Sequence, residues 1–168
     1  LDREQGCHQR PRGRRVSERN VVVAHLEVVG RRARLGAGAT ALAAGGIIGL
    51  ERSFRGRAAG FRTHALVCLA SSLLMLVTVY EHQWFSAHGG SRVVVDPTRM
   101  AQGIMTGIGF LGAGVIVKEG LTVRGLTTAA SIWVTAAIGI LTGIGFYFAA
   151  GIGVVLTLIM FGSTLNMF

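Results

Sequence analysis

The chain has 168 residues, of which 51% are apolar and only 15% charged, whereas a soluble domain carries about 25% charged residues. Sparse charge among long apolar stretches excludes disorder and argues against an ordinary soluble enzyme; 25 Gly against 2 Pro, without a Gly-X-Y period, exclude collagen. The formal charge is +9, and its placement in blocks flanking uncharged stretches points to a membrane protein with cationic loops rather than to nucleic-acid binding.

Residues 1–34 hold nine Arg against four acids. Leu1–Arg19 shows no apolar period and lacks the apolar centre of a signal peptide. Residues 1–33 therefore read as an Arg-rich extension, disordered or non-native, with the native start expected between Asn20 and Leu35. Val21–Val29 reads as a short amphipathic lead-in. A first span is expected over 35–50, built largely of small residues and ending at Glu51-Arg52.

The loop 51–64 carries Arg52, Arg55, Arg57 and Arg62. Its arginines either anchor two helix ends to anionic lipid or fix a turn in which Arg62 or Arg55 pairs with half-buried Glu51. A second span is expected over 65–80, with His64 just before it and Cys68, Ser71, Met75 and Thr78 on one face. A soft-metal site from His64, Cys68 and Met75 is disfavoured, because three ligands on one helix cannot surround a metal. Trp84 and Phe85 read as interfacial anchors. Cys7 and Cys68 form no CxxC pair, so neither a disulfide framework nor a zinc site is indicated.

Asp96-Pro97 reads as a helix start, with Asp capping the open N–H groups and Pro at the first helical position. The alternative is a cation-binding carboxylate at the mouth of the bundle. The span expected over 100–117 contains Gly103, Gly107, Gly109, Gly112 and Gly114. At 100° per residue, Gly103, Gly107 and Gly114 fall within roughly 40° of one another. Gly109 and Gly112 lie roughly opposite. Such a helix is expected to be gripped on two sides and to sit centrally in the bundle. The functional alternative is an unwound segment offering backbone groups to an ion. Val117–Gly120 reads as a tight turn.

From Gly125 to Phe168 no residue is charged. As one helix these residues would extend about 66 Å against a hydrocarbon core of about 30 Å. They must fold back, and Gly143-Ile144-Gly145 is the expected hinge between spans near 126–142 and 144–165. Thr128, Ser131, Thr135 and Thr142 share one face of the former and are expected to turn inward and bond across helices.

The fold class is thus an all-α integral membrane protein, a bundle of about five transmembrane helices with Gly-rich close packing over 34–168. Loops 51–64 and 118–125 carry six basic residues and the connection 81–99 carries two. The side with the positive excess is the cytoplasm, which places the N-terminus outside and the C-terminus inside. No nucleophile–base pair, P-loop or other catalytic motif is visible, so a non-enzymatic protein without cofactor or metal is expected.

Three blocks, GLERSFRGRAAGFRTHALVCLAS at 49–71, DPTRMAQGIMTGIGFLGAGVIVKEG at 96–120 and VRGLTTAASIWVTAAIGI at 123–140, resemble the MgtC/SapB (YhiD) family of bacterial inner-membrane proteins. The resemblance covers roughly residues 34–165. It implies a five-helix domain with the N-terminus outside, and a role in growth at low magnesium and, in pathogens, survival inside host cells. The matching motif residues are Glu51, Arg52, Gly60, Arg62, Thr63 and His64, then Asp96 and Pro97, then Arg124, Gly125, Thr127 and Thr128. The resemblance assigns none of them a chemical role. Some members carry a cytoplasmic C-terminal module that looks ligand-binding; this chain stops at Phe168. Two functions remain. One is a regulator that binds other inner-membrane proteins, compatible with a homo-oligomer and contacting lipid but no nucleic acid. The other is a channel or carrier for magnesium or another small solute.

Overall fold

A computed structural model describes residues 12–80 and 96–163, with side chains from Arg32 onward. The chain divides between Ala33 and Arg34, where the Arg-rich stretch gives way to small apolar residues. Of the first unit the described part is helical backbone from Arg12. The packing and contacts described below are those of the second unit.

The described residues form five helices and one small hairpin: α1 (Arg12–Phe54), α2 (Phe61–Val79), α3 (Pro97–Val115), β1 (Val117–Glu119), β2 (Thr122–Arg124), α4 (Leu126–Ile144) and α5 (Tyr147–Ser163). Arg32–Phe54 within α1, α2 and α4 are long and apolar enough to cross a membrane, and α5 is a shorter apolar helix. The helix α3 has the length, but Arg99, Gln102 and its glycines dilute its apolar character. The outer faces of the bundle carry large apolar side chains, among them Leu42, Ile47, Leu66, Leu73, Phe148, Ile152 and Ile159. A surface this apolar suits lipid and not water. The interior holds the polar groups.

Helix ends follow from local chemistry. Asp96 caps α3 and Pro97 opens it, so that helix begins three residues ahead of the expected span. The helix α2 also begins early, which puts His64 inside its first turn rather than before it. Gly145, at φ +95°, closes α4, and its N–H reaches the Leu141 and Thr142 carbonyls. The hinge is therefore Gly145 alone, and Gly143 lies within the helix. Where a plain turn was expected, β1 and β2 form an antiparallel pair with Lys118 opposite Val123. Gly120 takes φ +60° and no non-Gly residue in the described chain has positive φ, the pattern of a tight type II′ connection.

The centre of the bundle is the α2–α4 pair, not α3. One cluster joins Val67 and Met75 of α2 and Ile132, Ala136 and Ile140 of α4 to Ile104 and Ile108 of α3. A second, on the other side, joins Ala41 and Ile48 of α1, Cys68, Ile138 of α4, and Ala150 and Val154 of α5. Glycine permits these approaches. A Cβ on Gly45 would lie 2.7 Å from Cys68 Cβ, one on Gly49 2.7 Å from Phe61 Cα, and one on Gly143 2.6 Å from the Ser72 carbonyl oxygen. At Gly139 a Cβ would run into the Cys68 carbonyl and sit 2.8 Å from Ser71 Cβ. Two pairs at the small-xxx-small spacing, Gly45/Gly49 and Gly139/Gly143, thus seat α1 and α4 against α2.

Candidate functional site

Arg52, in the last turn of α1, is 2% exposed, although it is charged and lies at the end of a span. Its Nη2 donates to Thr128 Oγ1 at 3.2 Å, and its guanidinium stands 4.6 Å from the centre of the Phe161 ring. Thr128 belongs to the start of α4 and Phe161 to the end of α5. One side chain therefore ties three helix ends together. The Glu51 carboxylate pairs with Arg55 one turn on, so of the two expected partners Arg55 is the one used, and Arg62 stays exposed. Arg52 Nε has no hydrogen-bond partner among the described residues.

His64 forms a second cross-tie. Its Nδ1 lies 2.9 Å from the Gly60 carbonyl oxygen, which can only accept, so Nδ1 carries the hydrogen. Its Nε2 lies 3.1 Å from Ser131 Oγ, which in turn lies 2.7 Å from the Thr128 carbonyl oxygen. Neutral His64 accepts the Ser131 hydrogen. Protonated His64 donates to Ser131, whose hydrogen then goes to the Thr128 carbonyl.

Several motif residues act on the backbone. Gly60 lies directly before α2, where a Cβ would run into the Ser53 hydroxyl; that hydroxyl accepts the Phe61 N–H at 2.9 Å. Gly125 takes φ +90°, and any Cβ there would collide with the Val115 carbonyl. It is the point where the hairpin turns into α4. Arg124 pairs with Glu119 at 3.5 Å across the hairpin, both exposed. Thr63 and Thr127 are exposed.

Asp96 is a cap. Its Oδ1 accepts the Thr98 N–H at 2.9 Å and the Thr98 hydroxyl at 2.7 Å. Those two bonds, side-chain first, hold its carboxyl below the usual carboxylate range. A lowered folded-state pKa contributes stability that is present above the unfolded pKa and lost as pH falls through the folded one. Asp96→Asn, which keeps the acceptor, is expected to behave like the parent at neutral pH and to lose this acid dependence, while Asp96→Ala frays the first turn of α3. Hydrogen exchange at Thr98 and Arg99 across an acid titration checks it. Loss of low-magnesium growth in Asp96→Asn at normal protein level would restore a charged role.

The glycines of α3 fall differently from expectation. A Cβ on Gly103, Gly107, Gly109 or Gly114 would meet nothing within 4 Å, and one on Gly112 would meet only Ala129 Cβ, at 3.7 Å, an ordinary contact. Among the described residues they grip no neighbour, because α3 packs through Ile104 and Ile108 instead. Gly103 and Gly107 line a groove of about 440 Å³ between α2 and α3, walled by Leu66, Val67, Ala70, Leu74 and Leu111.

The hydroxyl stripes are buried as expected, but their bonding is mostly local. Thr135 donates to the Ser131 carbonyl and Thr142 to that of Gly139, both at 2.8 Å. A helix offers its own i−3 and i−4 carbonyls at no geometric cost, so few hydroxyls reach across. Cys68 is buried at the α1–α2 contact, and no group of three or more His, Cys, Asp or Glu converges among the described residues. Trp84, Phe85 and Cys7 lie outside the described residues. Sequence reasoning missed the burial of Arg52 and the contact of His64 with Ser131. Helical spacing on 126–142 had put Thr128 and Ser131 on one inward face, but nothing in the sequence says which residues of loop 51–64 meet them.

The chain is 45% identical over 115 residues to the "Putative magnesium transporter YhiD" of Escherichia coli (strain K12), covering 68% of this chain and 53% of that one. It is 45% identical over 111 residues to the "Protein MgtC" of Brucella abortus (strain 2308), covering 66% and 42%. An uncharacterized Haemophilus influenzae protein is 40% identical over 120 residues, covering 71% and 50%. The chain thus spans about half the length of the curated relatives it matches. No solved structure matches it. Residues 39–166, most of the bundle just described, match the MgtC family, and the chain belongs to that family.

Proposed function

We propose that this chain is a non-enzymatic protein of the bacterial inner membrane that acts by binding other membrane proteins during adaptation to low magnesium, and in pathogens during virulence. The observation that carries the reading is the open glycine face of α3. Gly103 and Gly107 leave room for a backbone to approach, inside an apolar groove of about 440 Å³. Glycine costs a helix about 1 kcal/mol against alanine, so an unoccupied glycine face suits a helix supplied from outside the chain. The six-to-two balance of basic residues in the loops supports an outside N-terminus and a cytoplasmic C-terminus.

Gly107→Leu tests this. Because no described residue stands within 4 Å of a Cβ at that position, the variant is expected to keep the parent's melting temperature and yield in detergent. It is expected to lose crosslinks to membrane partners, and with them growth at low magnesium. Unchanged crosslinking and growth at normal protein level would overturn the proposal. The second reading, a magnesium carrier, is favoured by the words in the name of the Escherichia coli relative. Liposomes holding a magnesium-sensitive dye separate the two: influx that depends on the protein supports the carrier.

A further inference from the structure

A cavity of about 890 Å³ opens beside Arg52, between the end of α1 and the helices α4 and α5. Its lining is of two kinds: Arg52, Arg55 and Arg57 from the end of α1 and the residues after it, and apolar Val134 and Leu156 further along α4 and α5, with Met160 beside Phe161 nearer the arginines. Thr127 and Val134 both line it and lie seven positions apart on α4. The cavity therefore runs about 10 Å along the helix axis, from the loop level into the apolar depth of the bundle. Glu51 offsets Arg55. The Arg57 guanidinium has no ion pair among the described residues, and Arg52 keeps a buried Nε without a partner. Guanidinium forks match phosphate oxygens, and a cation at the end of a span stands at the depth of lipid headgroups.

We propose that this cavity holds one anionic phospholipid, its phosphate against Arg52 and Arg57 and an acyl chain along Val134, Leu156 and Met160. The apolar wall selects a lipid over free phosphate, which would leave that surface empty. The two guanidiniums select a net-negative headgroup over a zwitterionic one, whose ammonium they repel.

The test uses the purified full chain in a neutral detergent. Phosphatidylglycerol, phosphatidylcholine and inorganic phosphate are titrated separately, and the melting temperature and the lipid retained in native mass spectrometry are read. Phosphatidylglycerol is expected to raise the melting temperature and to stay bound at one copy per chain, and the other two are not. Arg57→Gln should weaken that binding by about tenfold, the size of one charge-assisted hydrogen bond. Exposed Met160→Trp should block it by filling apolar space in the cavity while leaving every charge in place. Lys118→Gln, which removes a charge on the hairpin, should leave it unchanged. Equal retention of phosphatidylcholine, saturation by inorganic phosphate at the same concentration, or equal weakening in Lys118→Gln would each overturn the proposal. So would full binding in both Arg57→Gln and Met160→Trp.

Discussion

Gly143→Leu is expected to abolish assembly of the bundle. A Cβ alone at this position would stand 2.6 Å from the Ser72 carbonyl oxygen and 2.7 Å from Met75 Cβ, and leucine adds three more carbons to the same space. Overpacking a tight core costs about 1–3 kcal/mol when a side chain can give way. Here the obstacle includes backbone of α2, which gives way only if α2 and α4 separate. That separation would open the contacts of both core clusters, since α2 and α4 contribute to each. Gly143→Ala decides the sign of the smaller effect. Alanine gains about 1 kcal/mol of helix propensity in isolation, and the collision with Ser72 should outweigh it. Melting temperature and monodisperse yield in detergent provide the measurement. An unaltered melting temperature in Gly143→Leu would mean that α2 and α4 do not approach through glycine.

The contrast with Gly107 shows what sequence can and cannot convey. Composition, charge-free runs and the Asp96-Pro97 start were enough for the membrane class, for most helix limits and for the cap. They work because each depends on neighbours in the chain: a cap needs only the N–H two residues on, and a span needs only length and apolar content. Glycine spacing was equally visible in three helices. Which glycines meet a neighbour was not, because that depends on how helices are arranged around one another. The richest glycine run, on α3, makes no close approach among the described residues, and the sparser pairs Gly45/Gly49 and Gly139/Gly143 make the close contacts. The same limit governs the site. Thr128 and Ser131 could be placed on one inward face of α4, but their partners Arg52 and His64 come from a region, 51–64, whose arginines could equally anchor to lipid or fix a turn.

Arg52 is where that limit has the largest consequence. Arg52→Ala is expected to destabilise the protein by about 2–5 kcal/mol, the range for emptying a large buried site. The side chain is 2% exposed, bonded to Thr128 and stacked on Phe161. A hydrogen bond to a charged group contributes about 1.5–3 kcal/mol and a desolvated cation–π contact about 2. These overlap with the packing loss and do not simply add. Against a total stability of about 5–15 kcal/mol the change is large. Arg52→Met separates volume from charge. Methionine refills the space against Phe161 without a donor for Thr128, so it should recover much of the stability lost in alanine. If the guanidinium serves only to hold three helix ends together, methionine should also restore growth at low magnesium. If its charge faces a ligand in the adjoining cavity, methionine should fold and still fail to support growth. We expect the second outcome, because a buried guanidinium with an unpartnered Nε is a costly way to fill space that an apolar side chain could fill. A parent-like growth curve for Arg52→Met would reduce Arg52 to a structural tie.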